Sequence, residues 1–168
     1  RFVFEKIGYF DEDLIRNQDD DFNFRVSKAG GKIYFENDIQ LTYYVRGTYP
    51  GLWRQFFQYG YWKVFVNKKH KAVTTMRQLV PPAFVGYLLL AFLFSWFLPV
   101  LALPLLFYLG LVACVSFILS EKEKLPISEL ILTFFILHVS YGLGYLKGIW
   151  EFLLLKKKPS NKQKRLSR

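Results

Sequence analysis

From Leu79 to Leu119 the chain carries no charged residue, and this stretch limits the fold more than any other feature. Leu79 to Leu98 and Val100 to Leu119 are each about the ~20 residues that a helix needs to cross a bilayer core, with Pro99 between them. Two membrane helices joined by a tight turn are expected. A third apolar stretch, Ile127 to Leu146, has similar length but includes Glu129, His138 and Ser140 and runs into Lys147. The positive-inside rule places both the basic Leu52 to Gln78 region and the terminal lysines in the cytoplasm, which requires an even number of crossings. Three full spans break that rule, so either the third segment is re-entrant or interfacial, or the tail is an exception.

Charge divides the 168 residues sharply. Acidic and basic residues interleave up to Gly51, and from Leu52 to Gln78 every formal charge is basic. The net charge of +10 sits beside the apolar segments, at Lys68, Lys69, Lys71 and the run Lys156, Lys157, Lys158. That placement favours anionic membrane lipid over nucleic acid as a partner. Lys162 to Arg168 reads equally well as a solvated tail. Cys114 is the single cysteine, which rules out an internal disulfide and is expected to pack as a small hydrophobe. The sequence opens on Arg-Phe-Val-Phe without an initiator methionine, so a fragment of a longer protein is expected.

The first third reads as helix, strand, strand. Asp19 to Ala29 has Phe22, Val26 and Ala29 near one face and stops at Gly30-Gly31. Lys32 to Glu36 and Ile39 to Arg46 are rich in β-branched and aromatic residues around the turn signal Asn37-Asp38. After Pro50-Gly51, Leu52 to Val66 reads as an amphipathic interfacial helix in which Arg54, Gln58 and Trp62 share a face.

The densest group of reactive side chains is Asp19-Asp20-Asp21, with Asp11, Glu12 and Asp13 upstream. The plain structural explanation is that Asp19 caps a helix while Asp20 and Asp21 complement its dipole. The chemical explanation is a general base, because crowded like charges make a carboxylate easier to protonate. A metal reading of Asp19-x-Asp21 is open, though hard cations need several oxygen ligands. His70 reads as part of the basic interfacial cluster, and His138 as a packing histidine rather than a proton relay. Gly142 and Gly144 read as close-packing positions.

Gly8-Tyr9-Phe10-Asp11-Glu12, then Asp19-Asp20-Asp21-Phe22-Asn23-Phe24-Arg25, then Ala29-Gly30-Gly31-Lys32-Ile33 resemble the second half of the catalytic domain of family 2 glycosyltransferases. Gln58-Tyr59-Gly60-Tyr61-Trp62 resembles the Q-x-x-R-W motif of members that build polysaccharides. The likeness is greatest to the succinoglycan-biosynthesis type of membrane glycosyltransferase. It implies an α/β fold, the second half of a GT-A type domain over 1–51, followed by an interfacial region over 52–78. A membrane region of two to three helices over 79–155 and a basic cytoplasmic tail over 156–168 complete the expected order.

By the same resemblance Asp19 is the catalytic base, with Asp21 and Asp20 organising the site. Gln58, Trp62 and Tyr61, with Glu12, fall at the substrate-binding positions. Gln18 stands where the family has glutamate, and Tyr61 where it has arginine, so the diphosphate lacks its expected cation; Arg54 or Lys63 is the nearest substitute. The implied reaction is attack of an acceptor hydroxyl on a nucleotide sugar at the cytoplasmic face of the cytoplasmic membrane. The acceptor is a lipid-linked saccharide or a growing polysaccharide. A divalent cation, Mg or Mn, would serve the full-length protein, with its main ligands and the nucleotide-binding half outside this chain, so that the chain alone is expected to be inactive. Transfer to a polyprenyl phosphate is a second enzymatic reading, and a non-catalytic membrane anchor or assembly subunit is the reading from another class.

Overall fold

A computed structural model describes residues 2–44, 47–94 and 96–159. The chain is helical: α1 (Phe2–Ile7), α2 (Gln18–Lys28), α3 (Tyr49–His70), α4 (Val80–Phe94), α5 (Leu103–Glu123) and α6 (Ile127–Gly148). Short 3-10 turns, Met76–Leu79 and Pro99–Ala102, lead into α4 and α5, and a π-helical turn, Ile149–Leu154, extends α6.

The expected α/β architecture of the first third is overturned, since no strand forms among the described residues. Lys32 to Tyr44 is irregular, turning at Asn37-Asp38, and pairs with nothing as a sheet ladder; Val45 and Arg46 lie outside the described residues. Ile33, Tyr34, Phe35, Ile39, Leu41, Tyr43 and Tyr44 are all exposed. The physical reason is partnership. A two-stranded hairpin is marginal by itself and needs a further strand or a packed face, and none of these side chains joins the buried cluster that Leu14 forms with α3, α6 and Phe152.

α3 is longer at both ends than its hydrophobic pattern suggests. Thr48 Oγ1 accepts a hydrogen bond from Gly51 N at 3.3 Å and Pro50 sits in the first turn, so the Pro-Gly pair opens the helix instead of ending a loop. Lys71, in the left-handed conformation at φ 52°, closes it.

α6 is the hub. Gly60 of α3 meets the Tyr141 carbonyl and Gly144 of α6 meets the Phe57 carbonyl, so closely that a methyl group at either glycine would overlap backbone oxygen. Gly142 allows the same approach to Pro81 and Val85 of α4, as its close-packing reading required. Trp62, Tyr61, Phe65 and Phe152 then form an aromatic cluster at the far end of the α3–α6 seam. On the other side of α6, Tyr108 of α5 hydrogen-bonds His138 Nδ1 at 3.1 Å, which gives that histidine a packing partner.

Among the described residues three helices are long and apolar enough to cross a membrane: Met76–Phe94, Pro99–Glu123 and Ile127–Leu154. Their outward faces are apolar all round α4 and α5, with Leu89, Leu90, Phe92, Leu106 and Phe107 exposed, a pattern stable only in lipid. This is a membrane protein. Cys114, expected to be packed, is exposed on α5 among these residues. The basic residues after Pro159, including Lys162 to Arg168, lie outside the described residues.

Candidate active-site cleft

α2 docks on α3 through charge. Asp21 is fully buried, and its carboxylate meets Arg25 Nε at 3.0 Å, Lys69 Nζ at 2.9 Å and His70 Nε2 at 2.8 Å. Burial alone raises the Asp21 pKa. Hydrogen bonds from Lys69 and His70 and the charges of Lys69 and Arg25 together outweigh it and hold the carboxyl below its ordinary value. Lys69 also bonds Asp11 at 2.6 Å; burial lowers the Lys69 pKa, but the two carboxylates more than reverse this and keep it raised. Arg25 continues across to the loop after α1, donating to the carbonyls of Ile7 and Tyr9. His70 therefore belongs to this buried network, its ring tilted against Phe24, and not to an interfacial basic cluster.

The helix begins at Gln18, with Asn17 as its N-cap at φ 61° and no side-chain capping bond. Asp19 lies inside the first turn, so the capping explanation does not describe it. Its side chain is exposed at a cleft of about 570 Å³ between α2, α3 and α6. Arg16, Asp20, Tyr59, Lys63 and Tyr141 line the same cleft. Lys63 Nζ pairs with Asp20 at 2.7 Å while its stem is buried against α3's neighbours, which fixes the ammonium at the cleft wall. Arg16 Nε donates to Gln58 Oε1 at 3.3 Å. An exposed carboxylate and two cations thus share one polar space, an arrangement suited to taking a proton from a hydroxyl and to balancing negative charge on a substrate.

The other expected site residues lie elsewhere. Trp62, only 1% exposed, packs into the aromatic cluster and offers no face to a sugar. Tyr61 is buried and its hydroxyl donates to Glu151 Oε2 at 2.5 Å. Gln58 is buried and accepts the hydrogen bond from Arg16, which lines the cleft. Arg54 and Glu12 are exposed but do not line the cleft. Of the two cations weighed for the diphosphate, Lys63 is the one at the cleft.

Sequence reading missed Arg16, Tyr59 and Tyr141. Tyr59 stands inside the quoted Gln58 to Trp62 motif and carried a local signal, whereas Arg16 stands three residues before Asp19, outside the motif, and Tyr141 comes from a helix distant in sequence. Among the described residues no group of three or more His, Cys, Asp and Glu is arranged to hold a metal ion.

Over 81 residues, 48% of its length, the chain is 32% identical to the succinoglycan biosynthesis protein ExoA of Rhizobium meliloti, of which the match covers 24%. Over 140 residues, 83% of its length, it is 27% identical to a dolichyl N-acetyl-alpha-D-glucosaminyl phosphate 3-beta-D-2,3-diacetamido-2,3-dideoxy-beta-D-glucuronosyltransferase of Methanococcus voltae, covering 41% of that protein. The chain spans between about a quarter and two fifths of the length of these curated relatives. No family model matches the sequence. No solved structure matches it either. The resemblance read from the motifs is thus supported by two relatives: over part of its length this membrane protein is glycosyltransferase-like.

Proposed function

We propose that the chain is part of a family 2 type glycosyltransferase that moves a sugar from a nucleotide-diphosphate sugar to a lipid-linked saccharide or growing polysaccharide at the cytoplasmic face of the cytoplasmic membrane. The observation that carries this reading is the meeting of Asp19, Arg16 and Lys63 on one cleft whose third wall, Tyr141, belongs to a helix long enough to span a membrane. A soluble nucleotide sugar and a membrane-bound acceptor can meet only at such a boundary.

In the proposed reaction the acceptor hydroxyl oxygen bonds to the anomeric carbon, and the bond from that carbon to the diphosphate breaks. The electron pair leaves with the nucleoside diphosphate and Asp19 accepts the hydroxyl proton. Lys63 and Arg16 supply positive charge beside the site; Asp20 holds Lys63, and Gln58 holds Arg16. Tyr59 and Tyr141 offer aromatic surface to a sugar ring. Asp21 serves as the anchor of α2 and not as a base, because its oxygens are committed to Arg25, Lys69 and His70. No step is assigned to a metal. Transfer to a polyprenyl phosphate is the second reading, favoured by the dolichyl-phosphate-linked sugar in the name of the Methanococcus voltae relative.

Asp19→Asn in the full-length protein, assayed in membranes, tests the proposal. Transfer should fall by a factor on the order of 10²–10⁴, the usual contribution of a general base, with insertion and expression unchanged. Full transfer by this variant would leave the cleft without its base and return the chain to the anchor reading.

A further inference from the structure

Among the described residues three helices qualify as spans, yet the two ends of the region that contains them touch. Lys68 Nζ, in the last turn of α3, donates to the Phe152 carbonyl at 2.7 Å, in the turn that extends α6. One residue earlier, Asn67 donates to Tyr145 of α6 at 3.0 Å and to Gln78, just before α4, at 2.9 Å. Three full crossings between Lys68 and Phe152 would set them on opposite faces of a hydrocarbon core about 30 Å thick. A direct bond requires an even number.

α5 and α6 cross together or not at all. They fold back on each other at Lys124, whose left-handed conformation at φ 55° ends α5. His138 of α6 still meets Tyr108 of α5, and His138 lies about 17 Å along α6 at 1.5 Å per residue. α5 alone, at 21 residues, is about 32 Å long. α4 is the shorter element, with 15 residues or about 22 Å. The 3-10 turn before it is polar and tied to α3, because Gln78 is buried on Asn67. Just past the far end of α4 stands Trp96, exposed at 89%, a residue type that settles at the headgroup level.

We propose that α5 and α6 form the transmembrane hairpin and that α4 enters the membrane surface on the same side as α3 without crossing. The proposal rests on the membrane reading and is independent of sugar transfer. It also resolves the charge conflict in the sequence. Lys68, Lys69, Lys71 and Arg77 fall on one face together with Lys156, Lys157 and Lys158, and the opposite turn holds Glu121 and Glu123 against Lys122 and Lys124, which cancel.

Single cysteines at Lys71, Trp96, Lys124 and Lys158, all exposed positions, are placed in a Cys114→Ala background of the full-length protein. Sealed membrane vesicles of known orientation are treated with a membrane-impermeant maleimide, and detergent-opened vesicles give the total reactive thiol. Lys71→Cys and Lys158→Cys should label almost completely from one face and Lys124→Cys only from the other, with Trp96→Cys never labelling from the face that reaches position 124. Positions 71 and 158 on opposite faces would establish three crossings and overturn the proposal. Position 124 on the face of position 71, or position 96 on the face of position 124, would overturn it as well.

Discussion

The two sides of α3 are held by different physics. Towards α2 the contact is charge: Asp21 and Asp11 against Lys69, with Arg25 and His70 closing the network. Towards α6 it is shape, with backbone touching backbone at Gly60 and Gly144 and aromatic rings filling the space beyond. A charged contact tolerates small movements but depends on protonation and salt, whereas a glycine seam ignores both and fails when a single carbon is added. The cleft sits where these two contacts meet, so its geometry depends on both.

The largest effect is expected at the seam. Gly144→Leu puts a side chain against the Phe57 backbone, which has no rotamer to yield. Overpacking of this kind should cost about 3 kcal/mol and appear as loss of the folded species in detergent thermal denaturation. Asp21→Ala comes next, at about 2–3 kcal/mol for lost charge-assisted hydrogen bonds. Its signature should be local, with faster hydrogen exchange in α2 while the α3–α6 seam stays protected; equal loosening of both would mean that the contacts are not separable.

Changing pH probes the same division. Asp11 and Asp21 have depressed pKa values, so their stabilisation is complete above the ordinary 3.8 and is lost as pH falls through the lower folded values. Lys69 has a raised pKa, so its contribution is complete below the ordinary 10.5 and is lost as pH rises through the folded value. Proteolysis between α1 and α2 should accelerate outside that window, and cleavage in α6 should not. Lys63→Met should cost about 1 kcal/mol or less, because Asp20 is half exposed. The control for the seam is Gly110→Ala, which meets nothing within 4 Å and should be neutral or gain up to about 1 kcal/mol from helix propensity.

Periodicity and local chemistry made several elements legible. α2 was readable from the Phe22, Val26 spacing and the Gly30-Gly31 stop, to within a residue at each end. The helices of spanning length were readable because composition alone forbids an aqueous home for them. The irregular segment from Lys32 to Tyr44 misled because aromatic and β-branched residues report a preference for pleated surface, and that preference forms a sheet only where a partner strand is present. Trp62 misled differently: its motif neighbours are local, but its burial is set by Phe152 of the α6 extension, which no local pattern reveals.

By itself the sequence determined that this protein lives at a membrane and that an acidic helix precedes an aromatic one, since both follow from hydropathy and spacing along the chain. Only the tertiary structure decided that Asp21 is an anchor while Asp19 faces the cleft, and that Arg16, Lys63 and Tyr141 meet there. Neighbouring carboxylates are chemically equivalent until distant parts of the chain bring cations to one and leave the other open.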